Sequence, residues 1–171
     1  MRDLGIDPSA KATGFGIVED KDGRYVPVCF GSIRPSPGLD FPSKLDEIRS
    51  DLEKIIAEYA PAEVAIENPF YAKNVKTALA LGQVRGACLI AVASRRCALF
   101  EYSALEIKKA VSGYGQADKT QVMGMVRALL GIDDPALDSD AADALAAAVC
   151  HLNGREFRAR LKESESGQGG S

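Results

Sequence analysis

The chain has few of the residues that build soft-metal and redox sites. It contains one histidine, His151, and four cysteines, none of them in a CxxC pair. Cysteines in this pattern are expected to be small buried hydrophobic residues. A lone histidine in an alanine-rich stretch is more often packed or exposed than a base or a ligand. The sequence therefore gives no pattern for a cysteine-based metal or redox centre.

Long apolar runs are also missing. No uninterrupted apolar run reaches the length of a membrane span, and the N-terminal MRDLGID does not have the layout of a signal peptide. We therefore expect a cytoplasmic protein with no membrane partner. Its 171 residues, 46% hydrophobic and 26% charged, predict one globular domain over residues 1–153. From Gly154 onward the chain turns polar, so residues 154–171 are expected to be a disordered tail.

An excess of positive charge is missing as well. The net charge of −3 argues by itself against a nucleic-acid partner. The charges are unevenly distributed, however, because residues 73–127 contain nine lysines and arginines against three acidic residues. A basic middle segment in an acidic protein is what a phosphate-binding face would produce. Solvated helix faces are the alternative explanation for the same charges.

Hydrophobic periodicity and turn residues predict the order β-β-β-α-β-α-β-α-α-α. The strands are predicted at 2–7, 13–20, 24–33, 62–67 and 97–102, and the helices at 45–59, 74–94, 103–111, 118–130 and 139–153. A loop is predicted over 34–44, and a tight turn at 21–23 predicts an antiparallel hairpin. This order predicts an α/β fold with a mixed sheet and helices on both faces. Gly82 and Gly86 cost helix stability, so they predict a close approach by another helix or subunit.

Four acidic residues stand out by their positions. Asp7 ends the first strand and Glu67 ends the fourth, while Asp140 and Asp143 lie three apart on one face of the last helix. If the two strands are neighbours, both of their carboxylates leave the sheet at the same end. Active sites of open α/β sheets lie at that end. The last helix would then complete a cluster of four carboxylates.

Carboxylates at close range cannot all stay ionised without a cation. Mg²⁺ prefers oxygen ligands, and two Mg²⁺ about 4 Å apart can activate a water and stabilise the leaving oxygen in phosphodiester cleavage. Each acid also has a simpler explanation. Asp7 could cap a turn, Glu67 could end an exposed strand, and Asp138, Ser139 or Asp140 could be a helix N-cap. Asp143 lies one turn inside the helix, and the four acids together favour a metal site.

Four segments make the sequence resemble the RuvC family of Holliday-junction resolvases over residues 4–153. They are LGIDPS…TGFGIVE (4–19), AIENPFYAKNVKTALALGQVRGA (65–87), FEYSALEIKKAVSGYGQADKTQV (100–122) and DSDAADALAAAVCHLN (138–153). The catalytic acids of the family fall on Asp7, Glu67, Asp140 and Asp143, the residues that position also selects. One departure is Ser9, where the family commonly has glycine. A turn that needs a positive φ would be strained by serine.

The resemblance implies an RNase H-like fold and a homodimer whose contacts come largely from the long helix. It implies a Mg²⁺-dependent endonuclease, with Mn²⁺ able to substitute, that cuts four-way DNA junctions by paired symmetrical nicks. The family works beside the RuvA–RuvB branch-migration complex. The junction-contacting aromatic of the family corresponds to Phe70, and its basic residues near the scissile phosphate correspond to Lys108 and Lys119. Without the resemblance, loop packing and a solvated face would explain these three residues.

Two nucleotide-binding folds are excluded. A sugar-kinase or actin-like ATPase also opens on Gly-Ile-Asp, but it needs a second domain and a second glycine-rich loop that this chain lacks. A dinucleotide site is excluded because Gly14-Phe15-Gly16 has no third glycine and lies in a strand. Two alternatives stay open. The chain could be a junction-binding module without catalysis, or an RNase H-like nuclease without a preference for junctions.

Overall fold

The computed structural model describes residues 1–68 and 74–167, with side chains described up to residue 155. In this part of the chain the element order is the one that the sequence predicts. The strands are β1 (Arg2–Asp7), β2 (Thr13–Lys21), β3 (Arg24–Ile33), β4 (Glu63–Glu67) and β5 (Ala98–Tyr102). The helices are α1 (Phe41–Tyr59), α2 (Val75–Ser94), α3 (Ala104–Ser112), α4 (Lys119–Leu130) and α5 (Ser139–Gly167).

The five strands form one mixed sheet in the order β3-β2-β1-β4-β5. Strands β1, β2 and β3 are antiparallel neighbours, whereas β4 runs parallel to both β1 and β5. The predicted hairpin turn between β2 and β3 is present. Its Asp22 and Gly23 have φ angles of 55° and 81°, and the Asp20 side chain accepts a hydrogen bond from the Gly23 N–H at 2.9 Å.

Helices cover both faces of the sheet, as predicted. Helices α1 and α2 pack on one face and α3, α4 and α5 on the other. Because side chains alternate along a strand, β1 gives Leu4 and Ile6 to the apolar layer under α1 and α2. The other side of β1 carries Asp3, Gly5 and Asp7 toward α5. Strand alternation therefore directs two carboxylates of β1 to a single helix.

Helix α1 begins earlier than the sequence predicts, at Phe41 instead of residue 45. Asp40 is its N-cap and accepts a hydrogen bond from the Ser43 N–H at 2.9 Å. Pro42 lies in the first turn, where a missing N–H leaves no helical bond unmade. The proline-rich composition of 34–44 suggests a loop throughout, but its last residues have the composition of a helix start.

Helix α5 ends later than the sequence predicts, at Gly167 instead of residue 153. After Gly154 the chain contains arginine, glutamate, lysine and leucine and no proline. Several of these residues have high helix propensity, so the helix can continue into the polar stretch. The change to polar composition therefore does not mark the end of the helix. The disorder expected of residues 154–171 stays a prediction.

Helix α2 leaves one side uncovered. Its exposed apolar residues are Val75, Leu79 and Ile90, with relative exposures of 76%, 66% and 59%. A Cβ added at Gly82 or Gly86 would meet no atom within 4 Å, so no helix of the described chain makes the close approach expected there. The other partner that the sequence predicts for Gly82 and Gly86 is a second subunit. Among the described residues, one helix is long and apolar enough to cross a membrane by length and composition alone, and this helix is α2, with a mean hydropathy of 1.4.

Candidate active site

Two acids meet at the carboxyl end of the central parallel strands. Asp7 is the last residue of β1 and Glu67 the last of β4, and these strands pair with Ile6 level with Ile66. Both acids line a cavity of about 230 Å³. The residues lining it are Asp7, Glu67, Ala104, Ile107, Lys108, Lys119, Val122 and Asp143. The neighbouring strands thus bring together the two acids as their positions predict.

Helix α5 supplies Asp143 to the same cavity because its main chain lies directly on β1 and β2. Two glycines allow this approach. A Cβ at Gly5 would overlap the carbonyl oxygen of Ala144, and a Cβ at Gly14 would overlap the carbonyl oxygen of Asp140. A larger residue at either position would push the helix away from the sheet. The two glycines therefore set the distance between the acids of α5 and those at the strand ends.

The carboxylates perturb one another. Burial raises the pKa of Asp7 to about 8, and the negative charges of Glu67 and Asp143 contribute to the rise while Lys119 opposes it. Burial and then the charge of Asp143 also raise the pKa of Glu67. Burial is again the main reason that the pKa of Asp140 is raised. These carboxylates hold protons more tightly than free ones, which is the electrostatic signature of a cluster that needs a cation.

Two lysines face these acids from successive helices. Lys119 is the first residue of α4, and its Nζ lies 3.2 Å from Asp143 Oδ2. The charge of Asp143 is the main cause of the raised pKa of Lys119. Lys108 of α3 lines the cavity, and its charge opposes the rise in the pKa of Glu67. The Lys119 side chain is 72% exposed, so its ammonium group is open to a phosphate from solution.

The first turn of α5 is held by a group we call the α5 clamp: Ser32, Arg34 and Asp138. Asp138 caps the helix by accepting from the Ala141 N–H at 2.9 Å. The Ser32 hydroxyl donates to Asp138 at 2.8 Å, and Arg34 Nη2 donates to it at 2.7 Å. Arg34 Nη2 also lies 4.0 Å from Asp140 Oδ2. The N-cap explanation is thus correct for Asp138, and the clamp ties β3 to the turn that carries Asp140.

The turn after Asp7 accommodates Ser9 without strain. Ser9 is not among the non-glycine residues with positive φ. The Thr13 hydroxyl donates to the Ser9 carbonyl oxygen at 2.8 Å and accepts from the Ser9 N–H at 3.3 Å. The strain expected from serine at this position is therefore absent.

The donor set of the site suits a hard divalent cation. Asp7, Glu67 and Asp143 line the cavity, and Asp140 lies beside Arg34 at the start of α5. Among the described residues the lining contains neither imidazole nor thiol. Carboxylate oxygens are the ligands that Mg²⁺ prefers, and a cation would offset the repulsion that raises the pKa of Asp7. Phe70 lies outside the described residues.

The fold and the acids together define a class of protein. A mixed sheet of this order, with acids at the ends of its central parallel strands, is an RNase H-like fold of the nuclease type. The T. thermophilus RuvC in complex with Holliday junction substrate is similar to this chain with a TM-score of 0.84 and 29% identity, covering 95% of this chain and 96% of that one. The yeast mitochondrial Holliday junction resolvase Ydc2, at 15% identity and a TM-score of 0.64, shares the fold over 86% of this chain and 76% of its own.

Sequence comparison narrows the class to a family. The family model described as crossover junction endodeoxyribonuclease RuvC matches residues 3–151. A protein of that name from Pelobacter propionicus is 48% identical over 153 residues, covering 90% of this chain and 86% of the relative. Another from Caldanaerobacter subterraneus is 42% identical over 161 residues, covering 94% and 98%. The chain belongs to the RuvC family, so the resemblance seen in the sequence is confirmed.

Some residues around the site have no counterpart in the sequence-based prediction. Gly5 and Gly14 lie inside strands, where a glycine indicates close approach of another backbone, so a signal for them existed. Ser32 and Arg34 follow no motif. Their role depends on the end of β3 lying next to the start of α5. These two places are far apart in the sequence, since Ser32 and Asp138 are separated by 106 residues.

Proposed function

We propose that the chain is an endonuclease that resolves four-way DNA junctions in recombination and repair. In this proposal it makes paired symmetrical nicks by hydrolysing phosphodiester bonds. Membership of the RuvC family supports the proposal, as does the likeness to a RuvC structure described as holding a Holliday junction substrate. The observation that carries it is the half-buried Asp7, whose pKa is raised by burial and then by the charges of Glu67 and Asp143, in a cavity that two lysines also line.

Asp7, Glu67, Asp140 and Asp143 would hold two Mg²⁺ in this proposal. The bound cations would activate the attacking water and stabilise the leaving oxygen. Asp7 lies at the end of a strand that packing on both faces keeps in place. Asp143 and Asp140 come from a helix whose start is fixed by the α5 clamp and by Gly14. Such rigid support favours ligands that must be placed accurately.

The DNA-contacting residues in this proposal are Lys108, Lys119 and Phe70. Both lysines line the acidic cavity and are placed to neutralise a phosphate that approaches it. Phe70 follows Glu67 by three residues, and an aromatic ring there would stack on unpaired bases at the junction centre. For Phe70→Ala we expect a weaker 2-aminopurine signal change at the crossover. A signal equal to that of the wild type would contradict this role.

We further propose a homodimer that forms through the uncovered side of α2. Val75, Leu79, Gly82, Gly86 and Ile90 lie along that side at helical spacing and are partly or fully exposed in the single chain. A dimer carries two acidic sites related by a two-fold axis, which suits a junction in which two strands are cut at symmetrical positions. A RuvA–RuvB complex would be the partner that moves the junction. The DNA substrate supports a cytoplasmic location.

The decisive experiment compares cleavage of a four-way junction with cleavage of a linear duplex of the same sequence in Mg²⁺. We expect nicks in the junction only, and Asp7→Asn should still bind the junction but not cut it. Equal rates on both substrates would favour a nuclease without junction preference. Binding of the junction by the wild type without cleavage would favour a non-catalytic binding module.

A further inference from the structure

A second group of metal-ligating side chains lies at the other end of β1. Asp3 on β1 is level with Glu63 on the neighbouring β4, and His151 approaches both from α5. One oxygen of each carboxylate and one ring nitrogen of His151 all lie within 4.8 Å of one another. Asp3 and His151 are both 0% exposed. Asp7, at the opposite end of β1, belongs to the active site, so the two groups are separate.

His151 is held in one orientation by groups on both ring nitrogens. Its Nε2 lies 2.7 Å from Glu63 Oε2, and its Nδ1 lies 2.8 Å from the Tyr102 hydroxyl. Phe100 packs against the ring with a centroid distance of 4.5 Å. Metal-ligating histidines likewise have their non-ligating ring nitrogen held by a hydrogen-bonding partner, which here would be Tyr102 on Nδ1.

The Asp3 carboxylate is the incomplete part of this group. Both of its oxygens are buried and have no hydrogen-bond partner. Arg155 Nη1 approaches Asp3 Oδ2 at 2.8 Å and Glu63 Oε2 at 3.3 Å, but only the contact with Glu63 has hydrogen-bond geometry. One arginine therefore faces two carboxylates, and burial raises the pKa of Asp3 despite the opposing charge of Arg155. A buried carboxylate that shares a single guanidinium with a second carboxylate is stabilised by further positive charge.

We propose that Asp3, Glu63 and His151 form a site for a first-row transition metal ion of the Zn²⁺ type. Imidazole nitrogen and carboxylate oxygen are both ligands of Zn²⁺, and three protein ligands leave a fourth position for water. Imidazole is a poor ligand for Mg²⁺, which favours oxygen. The donor chemistry therefore separates this site from the all-carboxylate site at the other end of the strand.

Metal binding requires a change of tautomer at His151 and a rotation of the Arg155 side chain. The metal takes the Nε2 lone pair that faces Glu63. The ring proton then resides on Nδ1 and is donated to the Tyr102 oxygen, since a tyrosine hydroxyl can accept as well as donate. Arg155 is 23% exposed and can turn its guanidinium toward solvent. The bound ion would join the start of β1, the start of β4 and the middle of α5.

The test uses the fact that His151 is the one histidine of the chain. Imidazole ¹⁵N resonances of the labelled full-length protein therefore report on this site alone. In excess Mg²⁺, which fills the carboxylate site, we expect one equivalent of Zn²⁺ to shift the Nε2 resonance to that of a metal-bound ring. Imidazole resonances that stay unchanged at ten equivalents of Zn²⁺ would overturn the proposal.

Variants assign the ligands. We expect Asp3→Asn and Glu63→Gln to weaken Zn²⁺ binding at least about tenfold, and Tyr102→Phe to weaken it about 10- to 100-fold through the orientation of the ring. Arg155→Met should strengthen binding because a competing cation is removed. A shift that occurs with unchanged affinity in both Asp3→Asn and Glu63→Gln would mean adventitious binding at histidine, and would overturn the site.

One control separates this site from the proposed nuclease function. Asp7→Asn should abolish cleavage while leaving the Zn²⁺-dependent shift of His151 as in the wild type. Loss of that shift in Asp7→Asn would mean that the two ends of β1 do not bind metal separately, and the proposed site would be wrong. Cleavage by the wild type tests the nuclease function independently of either result.

Discussion

Gly14 of β2 lies directly beneath the main chain of Asp140, so that a side chain of any size at position 14 would overlap the Asp140 carbonyl oxygen. Asp140 is in the first turn of α5, and Asp143 lies one turn further along. The separation between the sheet and the acids of α5 is therefore set by the absence of a side chain on β2.

The first prediction concerns this contact. Gly14→Ala should lift the start of α5 from the sheet, because the overlap is with backbone that cannot rotate away. We expect cleavage to fall by at least about 100-fold and the free energy of unfolding to fall by about 1–3 kcal/mol. Rates of junction cleavage and denaturant unfolding measure the two effects.

The matched control is Gly124→Ala in α4, where an added Cβ meets no atom within 4 Å. Alanine is a better helix former than glycine, so this variant should gain about 0.5–1 kcal/mol of stability and cut normally. Gly14→Ala with wild-type cleavage would show that the helix can move without disturbing its acids, contrary to our expectation.

The second prediction concerns pH. A carboxyl whose pKa is raised to about 8 in the folded protein binds a proton there that the unfolded chain releases at about pH 4. The stability of the metal-free protein should therefore rise as pH falls from 8 toward 5, since the folded state then binds more protons. Denaturation curves in EDTA at several pH values measure this slope.

Asp7→Asn should remove most of that slope and stabilise the metal-free protein at pH 8 by at least about 1 kcal/mol. Adding Mg²⁺ should flatten the slope of the wild type, because a bound cation offsets the repulsion among the carboxylates. Identical pH profiles for wild type and Asp7→Asn would mean that Asp7 does not carry the raised pKa.

The third prediction concerns Lys119. Its ammonium lies 3.2 Å from Asp143 and faces the cavity, where a scissile phosphate would add negative charge. Lys119→Ala should lower the cleavage rate at saturating enzyme by about 100-fold and change junction affinity much less. Lys109→Ala serves as a control because Lys109, the residue after Lys108 on α3, is exposed and does not line the cavity. Single-turnover cleavage and gel-shift titrations separate the rate from the binding, and an unchanged cleavage rate would refute this role.

The fourth prediction concerns the α5 clamp. Arg34→Ala should lower cleavage about tenfold and raise the Mg²⁺ concentration at half-maximal rate, because Asp140 loses a neighbour that orients it. Stability should change by less than about 1 kcal/mol, since the Arg34 ion pair is exposed. Lysine at position 34 should restore part of the rate. Arg24→Ala, at the opposite end of β3, should behave as wild type, and an equal loss there would point to a general charge effect.

The fifth prediction concerns the uncovered side of α2. Leu79→Asp should dissociate the proposed dimer into folded monomers, because a charge would replace an apolar side chain that no part of the described chain covers. Analytical ultracentrifugation measures the change. Leu129→Asp on α4 removes an exposed leucine from a different surface and should leave the mass unchanged. A monomeric wild type would contradict the assignment of this surface.

The sequence was sufficient for the element order, and for placing Asp7 and Glu67 at one edge of the sheet on the condition that their strands are neighbours, which the structure shows them to be. Both depend on local periodicity and on the rule that parallel strands end at one edge. The predicted start of α1 is wrong because the prolines of residues 34–44 favour a loop, whereas Pro42 occupies a position in the first turn of the helix. The α5 clamp and the Asp3–Glu63–His151 group could not be predicted, because they depend on side chains from separate elements meeting at one place.

The alternation along β1 has a consequence for how the chain can misfold. A slip of β1 by one residue against β2 and β4 would turn Asp3 and Asp7 into the apolar layer under α1 and α2. The same slip would set Leu4 and Ile6 against the backbone of α5, where the position now held by Gly5 has no room for a side chain. Both layers would be disrupted at once. The alternation that places Asp7 in the cavity therefore also destabilises the register of β1 that is shifted by one residue.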